Sequence, residues 1–415
     1  MKNILLTSTA LVAIAGAVAA EVTITGSAEM GVVGGEDTAT QFFQDVDVKF
    51  TLTGQTDGGL SFGAAVDLDE AGNLGNEFSN QGVAIFVSGG FGTLTMGDTD
   101  GALDFVLTDA GNIGNPGSIA DDETSHAGYL GSYLDGAGFA DGQIIRYDYS
   151  FGDFSVAVSM EQNAFGDDGL VLDDQELGTV DLGLGTVDPD GFIVVGDDAF
   201  GTEDFDDVNY AIGGTYATEF GGAAVTVGLG YQHAASASAF GVIDLDTDTD
   251  VVDLFVTDVD AIGVGAAFTL DSGFTAGFTY TDFNYGDDYI IVGDDIGGPD
   301  IVDDVPGIRV EGSSFELDGR HFGIGMGYTF DAVTVHANYG QYDYEFDGFF
   351  DGGDGDITVS GYGLALGYDL GGGANVLLGY GASMASIDGD IEDDFEADED
   401  DFDTDTYSVG LSMAF

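Results

Sequence analysis

The side chains of this chain that could do chemistry are overwhelmingly carboxylates: 77 Asp and Glu stand against 5 Lys and Arg and 4 His, a formal net charge of −72. Carboxylates hold cations, move protons, or set an electric field along a path. Holding a cation takes several oxygens converging on one point. Asp244-x-Asp246-x-Asp248-x-Asp250 offers four from one extended segment, and Asp351-Gly-Gly-Asp354-Gly-Asp356 packs three into six residues. Neither has the sixth-position glycine and twelfth-position glutamate of a helix-loop-helix calcium loop, and neither is a tandem nonapeptide repeat. The expectation is therefore weak Ca2+ binding at Asp244, Asp246, Asp248 and Asp250, with no required cofactor. Moving protons takes a base beside an acid. His126, His233, His321 and His336 lie far apart and in no metal-ligand spacing. Only His336 could sit among inward carboxylates, and it reads as an ordinary polar wall residue, so the chain is not read as an enzyme. With no cysteine there is neither a disulfide framework nor a thiolate site. Nothing neutralises phosphates, which excludes nucleic acid. Gly323-x-Gly325-x-Gly327 is no phosphate cradle, because its glycines alternate within an extended run and precede no helix.

The elements that must position these groups are strands. Val46, Val48, Phe50 and Leu52 oppose Asp47, Lys49, Thr51 and Thr53, and Phe322, Ile324, Met326, Tyr328 and Phe330 oppose a row of glycines. One apolar and one polar or glycine face is the period of a strand. Sixteen such segments fall near 22–33, 42–53, 60–69, 81–88, 92–98, 143–151, 154–161, 207–220, 223–234, 259–270, 274–284, 319–330, 333–344, 357–370, 374–384 and 405–415. Links after even-numbered segments are tight, such as Gly152-Asp153 and Gly221-Gly222, whereas links after odd ones are long. The stretches 162–206, 235–260, 287–318 and 388–405 all follow odd segments and hold 42 of the 77 acids. An even-stranded transmembrane barrel sorts its connections in this way and a soluble sandwich does not. The apolar parity carries almost no charge, as a lipid-facing surface requires. Tyr210, Phe220, Tyr231, Phe268, Phe274, Phe330, Tyr368 and Phe415 lie near its ends, where interfacial girdles belong. The chain stops inside a strand, on Phe415, as closure against the first strand demands.

Residues 1–20 carry one cation, Lys2, then an apolar stretch that ends in Ala19-Ala20. They read as a signal peptide, and 21–415 as the barrel domain. Beyond them no run of 18 apolar residues occurs that could form a membrane helix.

The chain resembles the trimeric general-diffusion porins, most closely those of the alphaproteobacterial, Rhodobacter-like type. The resemblance is carried by Gly92-Thr-Leu-Thr-Met-Gly-Asp-Thr-Asp-Gly-Ala-Leu-Asp104, by the alternating stretch 21–31, by Phe415 and by the strand and loop layout. It implies a 16-stranded all-β barrel in the outer membrane of a Gram-negative bacterium, with short periplasmic turns and long acidic extracellular loops. It implies a homotrimer whose third long loop, 99–142, folds into the pore, and passive diffusion of ions and small hydrophilic solutes. In the family, acids of this loop face wall cations across a constriction. Here that implies Asp104, Asp109, Asp121, Asp122 and Glu123 on one side, with Lys49 and Arg146 opposite. The family wall carries several arginines where this chain offers two cations. Because acids outnumber those cations throughout, the expected preference is for cations. Arg320 shares the apolar parity at a loop end and is expected to snorkel to the interface. Expected partners are further copies of the chain, outer-membrane lipid and lipopolysaccharide through divalent cations, and small polar solutes. The alternative from another class is a secreted acidic calcium-binding β-protein of the cell surface, against which the uncharged apolar parity and Phe415 weigh.

So much like charge should be spread apart at low ionic strength, where the screening length is about 30 Å at 0.01 M salt against about 10 Å at 0.1 M. Protease cleavage in 162–206 and 388–405 should be several-fold faster in about 10 mM NaCl than in about 500 mM, or with added calcium. Equal rates would show that repulsion does not govern these loops.

Overall fold

A strand whose alternate side chains are apolar must place that face against something that is not water, and here the face points outward. The computed structural model describes residues 21–36, 38–68, 83–131, 143–162, 186–187, 193–194, 209–234, 237–240, 252–256, 259–286, 289–293, 308–310, 316–349, 353–390 and 402–415. Sixteen antiparallel strands close into a barrel: β1 (Glu21–Gly35), β2 (Gln41–Gln55), β3 (Ser61–Leu68), β4 (Val83–Gly89), β5 (Gly92–Gly97), β6 (Gln143–Phe151), β7 (Phe154–Gln162), β8 (Asn209–Phe220), β9 (Ala223–Ala234), β10 (Val259–Leu270), β11 (Phe274–Tyr285), β12 (Glu316–Phe330), β13 (Val333–Phe349), β14 (Gly353–Gly371), β15 (Ala374–Asp390) and β16 (Phe402–Ala414). Each pairs with its sequence neighbours, and β16 returns to β1 through Met30↔Leu411 and Val32↔Val409. The Phe415 amide donates to the Gly26 carbonyl at 2.9 Å, so the terminal residue is itself part of the seam. The closed order leaves the barrel no free edge, as hydrocarbon demands.

All sixteen strands correspond to the segments read from the alternation. The differences are at loop ends. β13 runs to Phe349 rather than 344, β14 begins at Gly353 rather than 357, and β15 runs to Asp390 rather than 384. Charged residues there interrupt the apolar period without interrupting the ladder: Arg320 pairs with Asp343, Asp318 with Glu345, and Asp356 with Glu345. Two of the three acids in 351–356 therefore lie in a strand. Outside the barrel, Ala237–Phe240, Val252–Val256, Tyr289–Gly293 and Ile308–Val310 form a four-stranded sheet within stretches read as loops, and Thr186–Val187 pairs with Ile193–Val194.

The tight turns work because their residues tolerate left-handed backbone. Gly221 and Gly222 have φ of 60° and 85° in a two-residue connection whose twist matches the flanking strands. Ile24, Ile85, Met96, Ile212, Leu229, Ile262 and Leu364 expose their side chains on the outer surface. The opposite parity points into the lumen, and on β8 to β16 glycines recur along it, among them Gly213, Gly228, Gly230, Gly325, Gly363 and Gly410.

Against that wall lies the segment 98–131. It contains a short helix α1 (Ala102–Val106) and a 3-10 turn (Ala110–Asn112), and it buries Ala102, Leu103, Val106, Leu107, Ala110 and Ile119. α1 rests on Gly213, Gly228 and Gly230, the 3-10 turn on Gly277 and Gly325, Pro116 on Gly367, Ile119 on Gly31 and Gly410, and the residues from Glu123 to Gly128 on Gly363, Gly361 and Gly340. A Cβ on Gly325 would run into the Ala110 carbonyl, and one on Gly363 into that of Glu123.

Gly325→Val should therefore keep the barrel, whose ladder favours a β-branched residue, and lift the inner segment off the wall. In detergent the unboiled variant should migrate as a folded barrel while protease cleavage within 101–131 rises by about tenfold or more. An unchanged cleavage rate would show that this contact does not hold the segment.

Candidate functional site in the lumen

The inner segment meets the wall along two polar seams. The first is built on Arg146 of β6, whose side chain points inward and is 8 % exposed. Its Nη1 donates to the Asp100 carbonyl at 2.6 Å and lies 3.6 Å from the Asp100 carboxylate, while Nε is 3.9 Å from Asp148. The guanidinium also covers the Phe105 ring at 3.9 Å. Beside it the Ala102 amide donates to Ser159 Oγ at 2.8 Å. The resemblance puts Arg146 among cations facing the acids across the lumen. Instead it clamps the start of the inner segment to the wall, because its planar fork reaches a carbonyl, a carboxylate and a ring face together.

The second seam gathers residues that are far apart in sequence. His126 Nε2 donates to Asn338 Oδ1 at 2.6 Å, and Asn338 Nδ2 donates to the Glu123 carbonyl at 2.8 Å and lies 3.3 Å from His336 Nε2. His321 Nε2 donates to the Gly128 carbonyl at 2.9 Å. His126, His321, His336 and Asn338 are all buried. Three histidines with no shared spacing in the sequence thus meet where the segment covers β12 and β13. His336 is under the segment, not on the open lumen wall. His233 points outward, 3.0 Å from Asp260, which also accepts from the Tyr231 hydroxyl at 2.6 Å.

The five acids expected at a constriction separate into three environments. Asp122 and Glu123 are 4 % and 1 % exposed, packed between segment and wall. The Asp122 amide donates to Ser118 Oγ at 3.0 Å, and Glu123 Oε1 accepts from Asn115 Nδ2 at 3.0 Å. They hold the segment together and do not face the lumen, which sequence could not reveal because adjacent acids in a turn point in different directions. Asp104 and Asp109 are half-buried. With Glu123 they surround Tyr129, whose phenol is pushed well up, by burial first and then by the charges of Asp109, Asp104 and Glu123. Asp121 alone is exposed, at a left-handed φ of 51° that turns its side chain out. Its carboxyl is raised above the ordinary range by partial burial, then by Glu123 and Asp122, and then by Asp45 and Asp47 of β2.

The wall near Asp121 is therefore acidic as well. Lys49 does point inward, but its Nζ is 2.7 Å from Asp67, a half-exposed pair contributing about 0–1 kcal/mol that nevertheless cancels the charge. Arg320 does not snorkel freely, because it is ion-paired with Glu345 across β12 and β13. Among the described residues no group of three or more His, Asp or Glu is placed to hold a metal ion. Asp244, Asp246, Asp248 and Asp250 lie outside the described residues. The glycine wall that receives the segment is visible in sequence as alternating glycines, yet alternation alone does not say what a bare strand face will meet.

Comparison with known proteins agrees with this architecture. The chain is 28% identical to a porin of Rhodobacter capsulatus over 363 residues, 86% of this chain and 93% of that relative. It superposes on a porin structure refined at 1.8 Å resolution with a TM-score of 0.52 and 24% identity, covering 95% of this chain and all of the other. The trimer form of OmpT, an outer membrane protein of Vibrio cholerae, gives a TM-score of 0.56 at 13% identity over 96% of this chain and 100% of that one. An anion-selective porin from Comamonas acidovorans gives 0.50 at 14% identity, over 96% and 100%. A family model of Gram-negative porins matches residues 7–389, nearly the whole chain, and with it the chain belongs to the Gram-negative porins, proteins of the outer membrane.

Proposed function

We propose that this porin is a homotrimeric, water-filled channel through which ions and small hydrophilic solutes diffuse passively, with a preference for cations. It would reach the outer membrane through the signal peptide at residues 1–20 and would catalyse nothing. The observation that carries the ionic preference is the placement of Asp121. It is exposed on the inner segment and lies within electrostatic reach of Asp45 and Asp47 of β2, while the inward cations Lys49 and Arg146 are already paired. A path between like-signed acids in a low-dielectric wall concentrates counter-ions, which here are cations. The fold does not decide this sign, since an anion-selective porin has a similar barrel. The charges do.

Trimer assembly is supported by the trimer form of OmpT and by Gly26 and Ala28 on the outer face of β1, small residues that let two barrels approach closely. The outward carboxylates of Asp260, Asp343 and Asp405 are hydrogen-bonded to tyrosine, threonine or glutamine side chains at the loop ends of their strands. They would meet lipid headgroups and lipopolysaccharide through divalent cations.

Reversal potentials across a KCl gradient test the reading. The wild-type pore should favour K+ clearly at low salt, less so as salt screens the wall, and Asp121→Asn should reduce the preference by about twofold or more. Asp122→Asn and Glu123→Gln should change it little, because those carboxylates are buried. An anion-preferring wild type would overturn the electrostatic reading. A carboxylate keeps its charge above its pKa, and that of Asp121 is raised. The preference should therefore start to fall, as pH is lowered, before an ordinary aspartate with its pKa of about 3.9 would lose charge. A profile that moves only at or below that value would show Asp121 to be an ordinary exposed acid.

A further inference from the structure

The second seam is held by histidines whose protonation the docked geometry does not accommodate. His126 donates through Nε2 to Asn338 Oδ1, and Asn338 is itself oriented by donating to the Glu123 carbonyl, so the neutral ring carries its proton on Nε2. His126 Nδ1 is then bare and buried, with no hydrogen-bond partner among the described residues, and it abuts the Gly361 backbone. His321 repeats the arrangement. Its Nε2 donates to the Gly128 carbonyl, and its Nδ1 is buried without a partner among the described residues. Each ring fastens the inner segment to the wall by one N–H, one to a side chain and one to a carbonyl. Each would gain, on protonation, a charged N–H with nothing to accept it.

The groups around the pair do not relieve that charge. On the segment itself the neighbours are Asp122, Glu123 and Tyr129, with the Glu123 carboxylate turned to Asn115. β12 contributes His321 and β13 contributes His336 and Tyr342, whose ring lies 4.5 Å from that of His321. β14 and β15 contribute Gly361, Gly363, Gly381 and the Ser383 hydroxyl, which accepts from the Ala127 amide at 2.9 Å.

We propose that His126 and His321 form a proton-operated latch that holds the inner segment on the wall at neutral pH and releases it into the lumen in acid, closing the channel. The inference deepens the channel reading and rests on it. Burial lowers the pKa of His126, with the Asn338 hydrogen bond opposing more weakly. In the released state the ring returns to the ordinary range near about 6.5. The released state therefore binds more protons below that pH, so docking is fully present above it and is lost as pH falls. The docking equilibrium weakens by up to about tenfold per pH unit for each histidine held neutral.

The test is single-channel recording of the full protein in a planar bilayer at about 1 M KCl, where screening within about 3 Å suppresses the direct effect of lumen acids. Between about pH 7.5 and pH 5 the wild type should show at least about tenfold more time in closed states. His126→Gln with His321→Gln, which keeps an Nε2 donor at both positions and cannot be protonated, should shift that response at least about one pH unit lower. A second variant does not depend on the seam tolerating those changes. The chain has no cysteine, so Ala127→Cys with Ser383→Cys can join segment to wall by one disulfide. Oxidised, it should stay open in acid, and reductant should restore closure. Acid closure that persists in the cross-linked protein, or a wild type that stays open in acid, would overturn the latch and leave the channel reading standing. Absence of conductance at pH 7.5 would instead overturn the channel reading itself.

Discussion

The inner segment touches the barrel wall backbone to backbone, and that contact is possible only where the wall has no Cβ. The carbonyls of Val106, Ala110, Glu123 and Gly128 sit where side chains on Gly228, Gly325, Gly363 and Gly340 would have to be. Glycine weakens a strand interior by its entropy and its missing side chain, so a wall rich in it is a sacrifice of local stability. The compensation is tertiary. Leu103, Val106 and Leu107 join a buried apolar cluster with wall residues such as Ala211, Val259, Ala261 and Phe283, Ile119 is buried as well, and the segment acquires one place to lie.

That placement organises the charges. With the segment on β7 to β16 and β1, Asp121 is exposed and within electrostatic reach of Asp45 and Asp47 of β2, whose Lys49 is paired with Asp67. Arg146 is consumed in fixing the segment, since a guanidinium that holds a carbonyl, a carboxylate and a ring face cannot also serve as a free wall cation. A chain with 77 acids and 5 cations would be acidic in any fold. The docked segment decides which of its acids are exposed and which are buried.

The outer surface obeys the opposite rule from a soluble protein. Large apolar side chains are exposed around the wall, and ion pairs such as Arg320 with Glu345 gather at the loop ends of the strands, where water returns. Hydrocarbon leaves no alternative to a closed ladder, and the hydrogen bond from the Phe415 amide to the Gly26 carbonyl completes it.

Strand number, order and inward or outward facing were legible in the sequence, because a side-chain period of two survives whatever the tertiary fold and lipid permits only one sign on the outer face. Phe322 to Phe330 and Tyr407 to Phe415 announce their faces residue by residue. The loop ends were less legible, since residues such as Arg320, Asp343 and Glu345 break the apolar rhythm while continuing the ladder. The site was legible only as composition. Asp121, Asp122 and Glu123 are indistinguishable in sequence, yet one is exposed and two are buried, because a left-handed residue in an irregular turn sends neighbouring side chains to different surroundings. His126, His321 and His336 are separated by up to 210 residues and meet because closure brings β12 and β13 under the segment. Periodicity is a local property and is written in the chain; which side of a loop faces the wall depends on contacts between residues distant in sequence, and only the folded barrel decides it.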